Sequence, residues 1–276
     1  MEDFKIQSEL KSDQNVINVH KFSQNPALAF LEILPKKETI PKLPLDTPIS
    51  ANKVRVVCLS DTHVDTRSMS AIPKADLLIH AGDFLKSGTK GELREFCNFL
   101  SNQNHIKYKV VIAGNHDGLI HSADQKESLK KQCIYLEDSY VKLFGLNIYG
   151  SPWQPVHCDN AFQLKRGKEL LDKWNKIPEF TDILITHGPP LGYGDKAGGV
   201  KHVGCVELLN TVLHRVKPKF HVFGHIHEDY GIWTNGTTTF INASICNRNY
   251  NAVHQPIIFD IEISPNKSKD DFLPEF

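Results

Sequence analysis

Val54-Arg55-Val56-Val57-Cys58-Leu59-Ser60-Asp61-Thr62-His63 is a β-branched apolar run that ends in a carboxylate and an imidazole. Such a run reads as a buried strand. Asp61 and His63 are two residues apart, so on extended backbone both side chains leave on one side. The pattern recurs along the chain. Apolar runs at residues 77–79, 108–113, 183–186 and 220–223 lead into Gly82-Asp83, Gly114-Asn115-His116-Asp117, His187-Gly188 and Gly224-His225-Ile226-His227. In an open α/β sheet, loops beyond strand C-termini meet in one crevice, so motifs far apart in sequence can share a pocket.

Between these strands the apolar spacing turns helical. Leu93, Phe96, Cys97 and Leu100 make one face, Leu164, Leu171 and Trp174 a second, and Val206, Leu209, Leu213 and Val216 a third. Strands alternating with helices predict α/β architecture. Residues 139–143, 146–150, 231–234, 237–242 and 257–261 add further strands, with Asn235-Gly236 as a hairpin signal. The expectation is two β-sheets packed as a sandwich and flanked by helices. Residues 1–50, closed by a Pro-rich piece, read as an arm or strap over the core; residues 51–263 form the domain; residues 264–276 are a charged, loose tail.

The bulk numbers narrow the function classes. Lys+Arg and Asp+Glu are equal at 32 each in 276 residues, so no global basic field argues for a nucleic-acid polymer or a membrane surface. The six cysteines contain no C-x-x-C pair, and the start Met1-Glu2-Asp3-Phe4-Lys5 lacks the order of a signal peptide. These features predict free thiols in a reducing, cytoplasmic setting.

Asp61, His63, Asp83, Asn115, His187, His225 and His227 are the candidate metal ligands. Carboxylate, amide oxygen and imidazole without thiolate suit Mn, Fe, Zn, Co or Ni rather than Ca. The expected division puts Asp61, His63, Asp83 and His227 on one dication and Asp83, Asn115, His187 and His225 on the other. Asp83 would bridge the pair, and a water acidified by both metals would be the nucleophile. Glycines 82, 114, 188 and 224 read as positions of tight turning or close backbone approach. For substrate contact, Trp153 is a candidate for stacking on a base, and Lys201 and His202, with Lys196, lie on a Gly-rich loop that could bring positive charge to a phosphate. His157, in a Pro-flanked loop, is a further candidate.

With these motifs in hand, the chain resembles the calcineurin-like metallophosphoesterase superfamily over residues 54–261. It is most similar to the metallophosphoesterase-domain-containing (UPF0046-type) class III phosphodiesterases. The segments that carry the likeness include Ile148-Tyr149-Gly150-Ser151-Pro152-Trp153, Thr186-His187-Gly188-Pro189-Pro190, His221-Val222-Phe223-Gly224-His225-Ile226-His227-Glu228 and Ile241-Asn242-Ala243-Ser244. The resemblance implies mixed sheets and dinuclear-metal hydrolysis of small phosphodiesters, cyclic nucleotides included, with manganese the metal expected to work in vitro. It implies that His116 approaches the scissile phosphate as charge stabiliser or leaving-group acid, and that Asp117 orients its imidazole. One branch of that group has Gly at the first His of Gly-His-x-His and is weakly active; this chain keeps His225. It departs in having Asp117 where vertebrate members have Glu, and a shorter stretch before Cys133. Two rival functions remain open: a phosphomonoesterase or protein phosphatase of the same fold, and a nucleotide-binding protein with little turnover.

Overall fold

The computed structural model describes residues 16–158, 160–263 and 268–272. Two mixed sheets face each other. The larger has seven strands in the order Glu38–Thr39, Gly231–Thr234, Thr239–Asn242, Phe220–Phe223, Ile183–Thr186, Leu146–Ser151 and Ser139–Leu143. The smaller has five, in the order Ile257–Glu262, Lys53–Leu59, Leu77–His80, Tyr108–Val111 and Ile134–Tyr135. The central strands of both are parallel and the antiparallel ones lie toward the edges. The motif strands therefore divide three to the smaller sheet and two to the larger.

Side-chain alternation builds the layers. Val56, Cys58, Ile79 and Val110 meet Ile148, Ile183, Ile185, Val222 and Ile241 between the sheets. Val57, Leu59, Leu78 and Val111 point the other way, onto Leu93, Phe96 and Leu100 of helix Lys90–Asn102. On the far side Leu184, Phe223 and Phe240 pack with Trp174, Val206, Leu209 and Val212. Strands covered on both faces read as continuous apolar runs, which is what the sequence displays.

Three local expectations are corrected. Leu164 lies in a short strand, Gln163–Leu164, and Gly167 at φ 89° separates it from helix Lys168–Trp174. The hairpin strand expected from residue 237 begins at Thr239, because the Asn235 side chain accepts the N–H groups of Thr237 and Thr238. Helix Val206–Asn210 widens into a π-helix at Thr211–Val216, which shifts the phase so that Val212 is buried and Leu213 only partly so.

Residues 16–50 lie against the domain. Strand Glu38–Thr39 extends the larger sheet, and the buried Arg55 guanidinium donates to the carbonyls of Thr47 and Pro48 while pairing with Asp260 at 2.5 Å. Lys269 pairs with Asp76 at 2.6 Å and Phe272 packs on the core, so this part of the tail is held rather than loose.

Candidate metal centre

Backbone hydrogen bonds tie the strand ends together, and the one between Ile245 and Ser60 runs from one sheet to the other. Asp61 N–H donates to Gly82 O, His63 N–H to Asp83 O, Gly224 N–H to His187 O and Ile245 N–H to Ser60 O, at 2.9–3.1 Å. This seam gathers all seven predicted ligands. Asp61, His63 and His227 make one group and Asp83, His187 and His225 another, with ligand atoms within 4.8 Å in each. Asp83 also groups with His63 and His116, so its carboxylate lies between the two sets. Its Oδ2 is 3.4 Å from His187 Nε2 and 3.9 Å from His63 Nε2. Asn115 Oδ1 joins the second set, 3.0 Å from His187 Nε2.

Each inward-facing imidazole but one is oriented from behind. The Nδ1–H of His63 donates to Leu85 O, that of His187 to Ala81 O, that of His227 to Asn247 O and that of His116 to Lys86 O, at 2.8–3.0 Å. A ring held in this way presents Nε2 to the centre, the usual support of a metal-binding histidine. His225 has no such carbonyl among the described residues; burial, with His187 beside it, pushes its imidazole down to about 3, so the ring is a neutral donor.

The backbone is strained where the ligands sit. Asp61, His63, Asp83 and His225 have φ of 52°, 42°, 54° and 69°. Non-glycine residues seldom adopt the left-handed region, and those that do cluster at functional sites. At two of the motif glycines the need is for space. A Cβ on Gly114 would collide with the Asp83 carboxylate, and one on Gly224 with that of Asp61.

The arrangement fits cations. His63 Nε2 and His227 Nε2 lie 3.3 Å apart, with Asp61 Oδ1 3.2 Å from the latter. Lone pairs converging in this way without a donor repel unless a proton or a metal lies among them. The charges agree. Burial pushes His227 down, but the Asp61 hydrogen bond and charge outweigh it and hold the ring up at about 9. Burial likewise opposes charge on His187, and Asp83 and Asp61 hold it at about 9. Burial would raise Asp61 and Asp83, yet His227 and His187 keep both carboxylates low.

Other expectations change. Asp117 does not orient His116. It is fully buried, and its carboxylate accepts the backbone N–H groups of Asp83, Leu85 and Gly114 at 2.7–2.8 Å, with Phe84 at 3.4 Å. Burial and the Asp83 charge push this carboxyl up while the N–H donors pull it down. A nest made only of donors fits the anion, so Asp117 fixes the loop that carries Asp83. Trp153 is a packing residue: its indole donates to Asp138 Oδ2 at 3.0 Å and Lys173 Nζ sits 3.9 Å over its ring. His202 stacks on Phe30 at 3.7 Å and bonds Asp195 at 2.6 Å, while Lys201 is exposed; neither joins the ligand groups. His157 does approach, its ring 6.3 Å from that of His225.

Three supports lie outside the predicted ligand set. Gln154, fully buried, donates Nε2–H to Asn115 Oδ1 at 2.9 Å and so turns that oxygen toward His187. Ser244 Oγ and the His225 N–H both donate to Asp61 Oδ2, at 2.8 and 2.9 Å. Buried His80 meets the hydroxyl of Thr62, between Asp61 and His63, at 3.0 Å. A polar residue after Ser-Pro-Trp and one after Asn-Ala were the only visible hints.

The calcineurin-like phosphoesterase family model matches residues 54–229. The chain is 42% identical over 284 residues to UPF0046 protein T07D4.2 of Caenorhabditis elegans, covering 91% of this chain and 72% of that protein. It is 43% identical over 284 residues to metallophosphoesterase domain-containing protein 1 of Homo sapiens, covering 91% and 86%. A more distant likeness, 25% over 203 residues and 63% and 71% of the two chains, is to the probable glycerophosphodiester phosphodiesterase GpdQ of Arcobacter nitrofigilis. No helix among the described residues is long and apolar enough to cross a membrane.

Proposed function

The chain belongs to the calcineurin-like phosphoesterase family, hydrolases of phosphoesters that use divalent metal ions, and from that premise we propose that it is a dinuclear-metal phosphodiesterase acting on small diesters. Asp61, His63, Asp83 and His227 would hold one ion, and Asp83, Asn115, His187 and His225 the other. When bound, the ions supply Lewis-acid charge at the phosphoryl group and a water of lowered pKa. His116, turned inward by Lys86 O, is the group that delivers a proton to, or stabilises charge on, the departing oxygen.

The observation that carries the diester reading is where the arginines are. Arg55, Arg166, Arg215, Arg248 and Arg67 are engaged with Asp260, the carbonyls of Gly204 and Val203, those of Ile177 and Trp174, Glu228 and Glu95. Arg94 is exposed on helix Lys90–Asn102. Among the described residues, none of the six bonds to the seven ligands, where a monoester's second charge would be gripped. The distant relative named for a glycerophosphodiester supports the same side. Cyclic nucleotides are the substrates proposed, manganese the working metal, and the cytoplasm the setting, which suits six cysteines that are all free.

The test is hydrolysis of bis(p-nitrophenyl) phosphate beside p-nitrophenyl phosphate by protein stripped of metal and refilled with Mn²⁺, with Asp83→Asn as control. Diester cleavage in excess, lost in the control, is the expected result. Cleavage of the monoester alone overturns the reading in favour of a phosphatase. Intact metal binding without turnover of either overturns it in favour of a binding protein.

A further inference from the structure

Tyr250 stands at the centre on a loop that no motif marks. Its ring centroid is 4.7 Å from that of His63 and 5.8 Å from that of His227, with the planes at 90° and 87°. The His116 ring is 6.0 Å away. One aromatic ring thus borders an imidazole of the first ligand set and the candidate proton donor together.

The position is strained and held. Tyr250 has φ 60°, which a bulky side chain adopts at a cost. Asn247 enforces it. Its carbonyl accepts Tyr250 N–H at 2.9 Å, its side-chain oxygen accepts Asn249 and Asn251 N–H at 2.9 and 3.2 Å, and its own N–H donates to Asn251 O at 2.9 Å. The same carbonyl holds His227 Nδ1. One peptide oxygen therefore fixes both a metal-facing imidazole and the placement of Tyr250.

Lys86 completes the wall. Its carbonyl orients His116, and its ammonium lies 5.1 Å from the Tyr250 ring centroid. Lys86 is exposed and makes no ion pair among the described residues, and no partner of the Tyr250 hydroxyl is found among them. Trp153 also has a lysine over its ring, but that Lys173 is paired with Asp138 at 2.7 Å and the indole N–H is spent on the same carboxylate. An aromatic ring with an unspent hydroxyl, and over it an exposed ammonium that makes no ion pair among the described residues, suits a flat, polarisable partner tethered to an anion.

We propose that Tyr250, with Lys86, is the specificity wall of the centre and takes the planar ring of a phosphate ester, nucleobase or aryl, while the phosphoryl group lies at the seven ligands. This rests on the reading that the centre holds metals and a phosphoryl group, and it adds the residues that choose the organic arm.

Phenylphosphonate and methylphosphonate carry the same charges and differ in the ring, and neither has an ester bond to cleave. Their binding to Mn²⁺-loaded protein is measured by calorimetry, with circular dichroism and manganese content checking each variant. The wild type is expected to favour phenylphosphonate by about tenfold, the scale of one ring–aromatic stacking contact. Tyr250→Ala and Tyr250→Leu bring the ratio toward one, Tyr250→Phe keeps it, and Lys86→Gln weakens both ligands in parallel. A wild type without preference, or folded Ala and Leu variants that retain it, overturns the wall. Failure of the diesterase reading would appear separately, as absent ester hydrolysis with this ratio intact.

Discussion

Asp117→Asn separates two roles for a residue that the motif alone leaves next to His116. Its carboxylate lies in a nest of backbone N–H groups, one oxygen taking Leu85 at 2.8 Å and the other Asp83 and Gly114 at 2.8 and 2.7 Å. An amide of the same shape exchanges one acceptor for a donor. The amide oxygen would stay on the side with more donors, leaving the NH₂ against Leu85 N–H. Losing that charge-assisted bond costs about 1.5–3 kcal/mol, and the two that remain weaken by about 1 kcal/mol each as the charge disappears. Against this, the amide no longer carries a buried charge beside Asp83, which is what pushes the native carboxyl up. The net expectation is a loss of about 2–3 kcal/mol in metal-free protein, or roughly 1 M in the urea midpoint. Urea unfolding followed by circular dichroism measures it, alongside the pH profile of turnover in the metal-loaded form. An unchanged midpoint together with a lost or displaced limb in that profile would refute the reasoning and return Asp117 to the orientation of His116.

Gln154→Leu should lower the affinity for the ion at the Asn115 set by about 10- to 100-fold and leave the other unchanged, read by metal titration; titration curves identical in wild type and variant would count against it. His116→Gln should retain metal content and reduce kcat by about 10²–10⁴, checked by steady-state kinetics beside metal analysis. In metal-free protein the folded His187 and His227 lie near 9, above the ordinary 6.5. Their pairing with Asp83 and Asp61 therefore stabilises fully below about 6.5 and fades as pH rises through about 9, so the melting temperature should fall across that window. Manganese must displace the same protons, so its affinity should rise over the window and level off above it; an affinity flat with pH would show that these rings are already neutral.

Much of the centre was legible because ligand chemistry is written in residue types at fixed spacing. Asp61 with His63 and His225 with His227 each sit two apart just past a strand, and the architecture could only bring such ends together. What stayed hidden depends on who lies behind each group. Asp117 adjoins His116 in sequence, yet the turn sends its side chain under the Asp83 loop. Trp153 has the composition of a stacking platform, but Lys173 and Asp138, from distant elements, close it. Leu164 matched a helical face until Gly167 broke the run. The Asn247 carbonyl, which serves both His227 and Tyr250, is backbone, and sequence assigns backbone no chemistry.

The division of the ligands between the sheets has an electrical consequence. Every oxygen donor, Asp61, Asp83 and Asn115, follows a strand of the five-stranded sheet, whereas the seven-stranded sheet contributes only imidazoles, those of His187, His225 and His227. The two halves of the molecule thus meet as an anionic face against a titratable one. Without metal, the contacts of Asp83 with His187 and of Asp61 with His227 cross that border, so protons keep the halves riveted while the dications are away. Loading the centre would exchange one kind of rivet for another.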